Sequence, residues 1–347
     1  MQLFGNGDKD AQVAQEIHSQ RAYVRGEAMV EDRIHEAFAG AGAEGLLHAV
    51  PIGGKPDCDE VTVGRCSAGD TAAVGERAAV DEVAVGADEP VVIASIFKVL
   101  LVLEFARQVA AGQLDPRARV RVTAGDRLGG WGTAGCADDV ELSLRDLALF
   151  AISVSDNSAA DLLLAQVGLD TVRLLVKELR LERTRIVGGP RDVLQSMLSE
   201  LGARDEREFA LRYPALPEAR KRRMSVLDPS RTNASTPREI TRLLRLIWCD
   251  EAGPPQACAW VRELMSRQVF RHRLVSGFPD EVTVAAKTGT LPGLHMEAGV
   301  VRYPDGSRYA VSVFARTREL ASSRTAVDAA IGTAARIAVD FLHRRGS

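Results

Sequence analysis

The sequence predicts an α/β fold of the α+β kind, in which an antiparallel sheet is flanked by terminal helices and an all-α subdomain is inserted between its strands. Strand patterns occur toward both ends of the 347 residues, long apolar helical runs fill the middle, and helical patterns begin and end the folded body. We expect an α/β part at about residues 28–95 and 280–347, and the all-α subdomain at about 96–279. Residues 1–27 are charged and weakly patterned, which indicates an N-terminal extension.

The N-terminal part of the body combines one helix with short strands. Residues 27–40 have the apolar spacing of a helix. The segments GLLHAVPI at 45–52 and EVTVGRCS at 60–67 are predicted strands, and the turn-forming residues 54–59 separate them. Residues 78–88 continue the strand-rich pattern.

The middle of the chain is predicted to be helical because apolar residues recur there every three to four positions. The first run, KVLLVLEFARQVAAGQL, is too apolar to lie on a surface. Further helical runs lie at 143–156, 157–168, 171–181, 236–248 and 256–268. The stretch between 181 and 236 has no clear period and is predicted to be irregular.

The C-terminal part returns to strands. Residues 283–289, 295–303 and 307–316 alternate in the manner of a meander that turns at Pro304 to Gly306. A helical pattern over 322–345 follows them. Strands from the two ends of the chain therefore have to join in one sheet.

Composition excludes several classes of function. The net charge is -3 with both signs interspersed, so we expect no nucleic-acid partner and no membrane partner, but a small-molecule or peptide-like substrate. The five cysteines include no C-x-x-C pair, so reduced thiols and no metal or other cofactor are expected. The polar N-terminus lacks a secretory signal, which favours the cytoplasm. The oligomeric state is left open.

The first chemical motif is Ser95-Ile96-Phe97-Lys98. Ser95 opens a helix, where its own backbone N–H is free to stabilise an oxyanion. Lys98 lies three residues later on the same helix face, so its side chain can reach the serine oxygen. Its apolar neighbours disfavour the charged amine, which makes Lys98 a candidate base for a nucleophilic Ser95.

Two further motifs complete the set. In Ser155-Asp156-Asn157, the hydroxyl of Ser155 can relay a proton to a leaving group, and Asn157 can bind a substrate amide and anchor Lys98. In Lys287-Thr288-Gly289, on a predicted edge strand, the cation and the Thr288 hydroxyl suit a substrate carboxylate. The following residue, Thr290, can complete the oxyanion hole with its N–H. Each motif alone has a plain structural explanation, such as a helix cap, but their order and spacing favour a joint catalytic site.

With these motifs in this order, the chain resembles the serine β-lactamase and DD-peptidase superfamily of penicillin-binding proteins, and class A β-lactamases in particular. The resemblance extends over about residues 35–345, through ASIFKVLLVLEFARQVAAGQLD, ELSLRDLALFAISVSDNSAADLLLAQVG, NASTPREITRLLRLIW and KTGTLPG. It implies an acyl-enzyme mechanism without metal, and a site in the groove between the α/β part and the all-α subdomain.

One departure from the family concerns the carboxylate that hydrolyses the acyl-enzyme. The family's lactamases carry a glutamate in an Ω-shaped loop, whereas this chain has Gly189 before Pro190 at the matching stretch. Asp192 is the nearest possible deacylation base. Other carboxylates follow in the long segment 196–232, which is longer than the family's loop and is a candidate lid: Glu200, Glu206 and Glu208.

A second departure concerns an arginine that many class A enzymes carry on the strand after KTG. Met296 and Glu297 occupy that neighbourhood, so Arg271 and Arg273 are the expected replacements. His272 and His295 are possible groove residues, with a packed or solvated role favoured for each.

Three hypotheses of function remain. The first is a class A β-lactamase-like hydrolase of β-lactam or related amide and ester bonds. The second is an acyltransferase, esterase or DD-peptidase-like enzyme of a biosynthetic pathway with slow or no β-lactam turnover, which the missing glutamate favours. The third is a non-catalytic ligand-binding module, against which the retention of every reacting group argues.

Overall fold

The computed structural model describes residues 28–53, 82–320 and 323–346. The proposed N-terminal extension, the strand at 60–67, and Cys58 and Cys66 lie outside the described residues. Among the described cysteines, Cys136 and Cys258 are free thiols.

A five-stranded antiparallel sheet organises the α/β part, and its strand order is β2-β1-β9-β8-β7. The bounds are β1 Ala43–Pro51, β2 Val83–Val85, β7 Thr283–Leu291, β8 Leu294–Arg302 and β9 Arg308–Thr317. β1 and β9 pair along their full lengths, from Ala43 with Thr317 to Pro51 with Tyr309. The first strand and the last strand of the chain therefore lie side by side, as expected from the strand patterns near both ends.

Helices cover both faces of this sheet. On one face, α1 (residues 28–40) and α11 (Arg324–Gly346) bury apolar side chains such as Ile34 and Ile331 against the strands. On the other face lies α9 (Pro237–Trp248), whose buried side is continuous with the core of the helical region. The sheet is buried on both faces, which explains why β8 and β9 consist almost entirely of buried residues.

The helical region surrounds α2, which is buried along most of its length. The remaining helices are α2 Phe97–Ala110, α3 Leu144–Ser153, α4 Asn157–Val167, α5 Leu169–Glu178, α6 Pro190–Leu201, α7 Glu206–Arg212, α8 Glu218–Lys221 and α10 Pro255–Ser266. α2 packs against α3, α4, α5 and α10. A helix surrounded in this way needs the uniformly apolar sequence from which its burial was predicted.

The middle of the chain differs from the prediction in two respects. It is not purely α, because it includes a hairpin of β4 (Arg119–Val122) with β5 (Val140–Ser143), and a short pairing of β3 (Val91–Val92) with β6 (Ala234–Ser235). The segment predicted to be irregular contains α6, α7 and α8. Pro190 starts α6 and Gly202 ends it in a left-handed conformation with φ of 62°. None of the helices within the described ranges combines the length and apolarity needed to span a membrane.

Candidate active site

The first motif lies where β3 leads into α2. Ala94 to Ile96 form one 3₁₀ turn directly before the helix. Ala94 has a φ of 41°, a left-handed conformation that a residue with a side chain adopts only when its surroundings impose it. The turn leaves Ser95 half-buried, whereas Lys98, one helical turn later, is fully buried. Ser95 thus stands at a helix start, where backbone N–H groups lack helical acceptors.

The second motif forms the tight connection between α3 and α4. Ser155 has a φ of 58°, so its backbone is also left-handed. Asp156 caps α4, because its Oδ1 accepts a hydrogen bond from Ala159 N at 3.0 Å. Asn157 begins the helix, and its Oδ1 accepts a hydrogen bond from Lys98 Nζ at 2.8 Å. The capping role belongs to Asp156, while Ser155 and Asn157 face Lys98.

The third motif lies on β7, at the free edge of the sheet. The backbone N–H of Thr288 points away from β8, because it donates to Gln268 Oε1 at 2.6 Å. N–H directions alternate along an antiparallel strand, so the N–H of Thr290 also points to the free edge. Thr290 lines the same cavities as Ser95. The two N–H groups expected for an oxyanion hole therefore lie on neighbouring segments.

Gly289 allows β7 to approach the Ser95 turn closely. A Cβ at this position would lie 3.1 Å from Ile93 O and 2.8 Å from Met296 Cγ. Ile93 O belongs to the backbone immediately before the 3₁₀ turn. A side chain at Gly289 therefore requires the Met296 side chain to move and Ile93 O to shift by a few tenths of an ångström.

We expect Gly289→Ala to lower the rate at which a fluorophosphonate labels Ser95, and by less than the roughly 10²-fold cost of a 1 Å misplacement, because the backbone at Ile93 has to shift by only a few tenths of an ångström. The rate is measured by intact-protein mass spectrometry. Gly40→Ala is the matched control, since nothing lies within 4 Å of a Cβ there. A native labelling rate in folded Gly289→Ala protein would contradict this function of the glycine.

Two buried lysines meet at Ser155. Lys98 Nζ donates to Ser155 O at 2.7 Å and lies 3.4 Å from Ser155 Oγ, while Lys287 Nζ donates to the same Oγ at 2.9 Å. Burial lowers the pKa of Lys98 to about 7, opposed by the charge of Asp156. Burial, together with the charge of Lys98, holds the pKa of Lys287 well below its ordinary value. Lys98 can therefore be neutral near pH 7 and accept a proton.

Lys98 does not donate to Ser95 in this structure, although the spacing predicted that it can reach the serine. Within the described chain, its Nζ instead donates to backbone and side-chain oxygens of the second motif, including Asp156 O at 3.3 Å. A buried ammonium needs these oxygens in place of water. Once Lys98 is deprotonated, its neutral amine no longer requires these oxygen acceptors. The amine then lies one helical turn from Ser95 and can accept its proton.

Two cavities meet at Ser95. One has a volume of about 350 Å³ and mainly apolar walls, and the other has a volume of about 360 Å³ and a more polar lining that includes two aromatic side chains. Ser95, Asn157 and Thr290 line both cavities. The polar cavity, called the groove below, is also lined by Trp131, Ser155, Phe270, Arg273, Thr288, His295 and Asp328.

Of the two arginines considered, Arg273 is the one at the groove. Its guanidinium donates to Gly289 O at 2.8 Å and to Thr290 Oγ1 at 2.9 Å, and its Nε donates to Asp328 Oδ1 at 2.6 Å. Arg271 is exposed and is not among the residues that line either cavity. The structure therefore does not bring Arg271 together with the other predicted site residues.

The titratable neighbours of Arg273 form a group that is buried except for His272, which is exposed and also lines the groove. Glu297 accepts hydrogen bonds from a side-chain amide at 2.5 Å and a backbone N–H at 2.6 Å, and burial raises its pKa. His295 is buried with its Nδ1 2.8 Å from Asp328 Oδ1, and His272 Nε2 lies 3.6 Å from the same carboxylate. The sequence reasoning missed Asp328, because one polar residue on the terminal helix has no local pattern that signals a distant groove.

Asp192 lies at the start of α6 and away from both cavities. Its Oδ2 accepts a hydrogen bond from Gly189 N at 2.8 Å, and its side chain is exposed. A Cβ at Gly189 would lie 2.7 Å from Leu164 Cδ2, so a glutamate before Pro190 would require this leucine to move. The loop is built without a carboxylate facing Ser95 from this position.

Glu206 is the carboxylate that the segment 196–232 contributes to the apolar cavity. Its Oε1 accepts a hydrogen bond from Gly129 N at 3.0 Å, and Gly129 O accepts one from Asn157 Nδ2 at 3.0 Å. Glu200 and Glu208 instead bind groups of their own segment. Within the described ranges, no group of three or more His, Cys, Asp or Glu side chains is arranged to hold a metal ion.

Comparison with protein families and sequences gives two matches. The family model described as the beta-lactamase enzyme family matches residues 72–342. The beta-lactamase regulatory protein BlaB of Streptomyces cacaoi is 28% identical over 271 residues, which is 74% of this chain and 87% of that protein.

The solved structures most relevant to the fold are similar over nearly their whole length. A beta-lactamase from Sphaerobacter thermophilus has a TM-score of 0.65 at 22% identity, covering 88% of this chain and 95% of its own. A class A beta-lactamase from Mycobacterium abscessus has a TM-score of 0.67 at 18% identity, covering 92% of this chain and 100% of its own. PBP-A has a TM-score of 0.65 at 17% identity, covering 91% of this chain and 96% of its own. These structures confirm the predicted fold class.

Proposed function

Because this chain belongs to the beta-lactamase enzyme family, a family of serine hydrolase type, we propose that it cleaves β-lactam or related amide and ester bonds through an acyl-enzyme on Ser95. The observation that carries the proposal is the convergence of Lys98 and Lys287 on Ser155 Oγ, with distances of 3.4 Å and 2.9 Å. Two buried amines beside one hydroxyl are costly to desolvate, and proton transfer is a use that justifies this cost.

The acylation step follows from these positions. Neutral Lys98 takes the proton of Ser95 as Ser95 Oγ forms a bond to the substrate carbonyl carbon. The N–H groups of Ser95 and Thr290 stabilise the oxyanion. The carbonyl–nitrogen or carbonyl–oxygen bond then breaks, and Ser155 passes the proton from Lys98 to the leaving group. Lys287 holds the Ser155 hydroxyl in place through the 2.9 Å hydrogen bond.

For the second step, we propose that Glu206 activates the water that hydrolyses the acyl-enzyme. Among the described residues that line the apolar cavity, Glu206 is the one with an ionisable side chain. Asp192 is the candidate nearest in sequence to the position where the family has its glutamate. Its carboxylate already accepts a hydrogen bond from Gly189 N at the start of α6. A general base has to reach the water next to the ester. Glu206 and Asp192 are both exposed, but Glu206 lines the cavity that contains Ser95 and is therefore favoured.

For substrate binding, we propose that the groove holds an anionic substituent such as a carboxylate. Arg273 supplies positive charge at the lining of the groove, and Thr288 and Thr290 supply hydroxyl groups beside it. Asp328 neutralises part of the charge of Arg273, with 2.6 Å between Nε and Oδ1. The exposed Arg271 is then expected to matter less than Arg273.

The absence of a carboxylate at Gly189 favours a second candidate function, acyl transfer to an amine or alcohol in place of water. In that case the enzyme is an acyltransferase, esterase or DD-peptidase-like protein with little β-lactam turnover. A third candidate, a non-catalytic ligand-binding module, gains support from the relative named a regulatory protein. The retained lysine pair and the left-handed Ser155 argue against the third candidate, since a site without chemistry does not require either.

The deciding experiment is intact-protein mass spectrometry after mixing with a chromogenic cephalosporin, while absorbance follows ring opening. We expect a Ser95 adduct and ring opening in the native protein, and neither in Ser95→Ala. Fast turnover identifies a working β-lactamase, and a persistent adduct that an added amine releases identifies the acyl-transfer alternative. Failure of both the cephalosporin and a fluorophosphonate to label Ser95 would leave only the binding module.

A further inference from the structure

The apolar cavity beside Ser95 has a wall that the segment after Gly189 builds. α6 contributes Pro190, Val193, Leu194 and Met197, and α7 contributes Phe209. Val193, Leu194 and Met197 lie on one helix face because they are spaced one, three and four residues apart. These side chains therefore form a continuous apolar wall, and Val193, Met197 and Phe209 also pack against the hydrophobic core.

The arrangement of the two cavities around Ser95 determines how a bound substrate is oriented. Ser155, which passes the proton to the leaving group, lines the groove and is not among the lining residues of the apolar cavity. The leaving side of the substrate therefore lies in the groove. The acyl side, which stays bonded to Ser95, lies toward the apolar cavity.

We propose that the natural substrate carries a large apolar acyl group, which the apolar cavity binds, and an anionic leaving portion, which the groove binds. This inference rests on the proposed function. The volume of about 350 Å³ is more than twice the roughly 150 Å³ of an apolar cavity that holds benzene. A ring with several additional carbons, or a medium-length alkyl chain, fits this space. Glu206 lies at the wall of the same cavity.

The first test is a series of p-nitrophenyl esters from acetate to octanoate. Burial of each additional methylene is expected to raise kcat/KM about three- to four-fold until the cavity is full. Met197→Trp fills the cavity and is expected to lower the octanoate-to-acetate ratio of kcat/KM at least about ten-fold. The matched control is Leu211→Trp, because Leu211 lies on the same segment, is 74% exposed and does not line the cavity.

The second test separates binding from chemistry. Calorimetry with Ser95→Ala protein and N-acylglycines, which join an apolar acyl chain to a carboxylate, is expected to show affinity that rises with chain length and falls in Met197→Trp. A flat dependence of both kcat/KM and affinity on chain length overturns the inference, even if the cephalosporin labels Ser95. Length-dependent affinity without labelling of Ser95 supports the inference about the cavity and counts against the proposed function.

Discussion

Replacing Lys98 with methionine is expected to slow acylation of Ser95 by about 10²- to 10⁴-fold, the range that a general base contributes. Methionine has nearly the same length and preserves the apolar packing inside α2, where Lys98 is 0% exposed. The lower acylation rate is therefore attributed to the missing proton acceptor. Stopped-flow absorbance with a chromogenic cephalosporin, under single-turnover conditions, measures the rate.

The pH dependence of acylation identifies the base. Burial lowers the pKa of Lys98 to about 7, so the neutral amine is the minor form below that pH and the major form above it. The native rate is expected to rise as the pH passes through about 7 and to level off above it. Lys98→Met should lose this rise, because the amine that accepts the Ser95 proton is gone, while Lys287 stays bonded to Ser155.

Stability provides the control for Lys98→Met. Removal of the buried amine relieves its desolvation but leaves the three oxygens that accept from it without this donor, so we expect the free energy of unfolding to fall by no more than about 3 kcal/mol and the variant to stay folded. Lys177→Met, at an exposed position of α5, should alter neither rate nor pH profile. A Lys98→Met protein that acylates at the native rate with the native pH profile would show that another group is the base.

Replacing Glu206 with glutamine is expected to slow hydrolysis of the acyl-enzyme by about 10²- to 10⁴-fold and to convert a transient adduct into a persistent one. The glutamine side chain keeps the size of Glu206 and can still accept from Gly129 N, whose bond to Oε1 is 3.0 Å long. It cannot take a proton from water. Mass spectrometry of the adduct against time, after excess substrate is removed, measures the effect.

Asp192→Asn is the matched comparison for Glu206→Gln. Asp192 caps α6 from outside the cavities, so its amide variant is expected to change stability by about 1 kcal/mol or less and to leave adduct lifetime as in the native protein. The reverse result, with a long-lived adduct in Asp192→Asn and a native lifetime in Glu206→Gln, would assign the second step to the residue at α6. Equal native lifetimes in both variants would favour transfer to an acceptor other than water.

Some structural details follow from short-range patterns, and others do not. Apolar periodicity predicted α2, the terminal helix and the strands of the C-terminal meander, because buried faces repeat with the period of their own element. It did not predict α6, which is mixed in composition, or α7 and α8, which are only seven and four residues long. Strand pairs of two to four residues, such as β3 with β6, are too short to produce a period.

At the site, the sequence alone determined the motifs, their order, the helical start at Ser95 and the lack of a glutamate before Pro190. Tertiary structure decided which side chains meet. Arg271 and Arg273 differ by two positions in a loop without regular geometry, and the fold buries Arg273 at the groove. A loop sequence does not encode the direction of its side chains.

The same distinction applies to the carboxylates and to the apolar cavity. Asp192 is nearer in sequence to the position of the missing glutamate, but α6 turns its carboxylate to the helix end, while Glu206 reaches the wall beside Ser95. Short-range chemistry in one segment is visible in its residues, whereas a cavity exists only where several segments converge. Packing of α6 and α7 against the Ser95 turn therefore decided the shape of the site, and the sequence decided which chemistry is available within it.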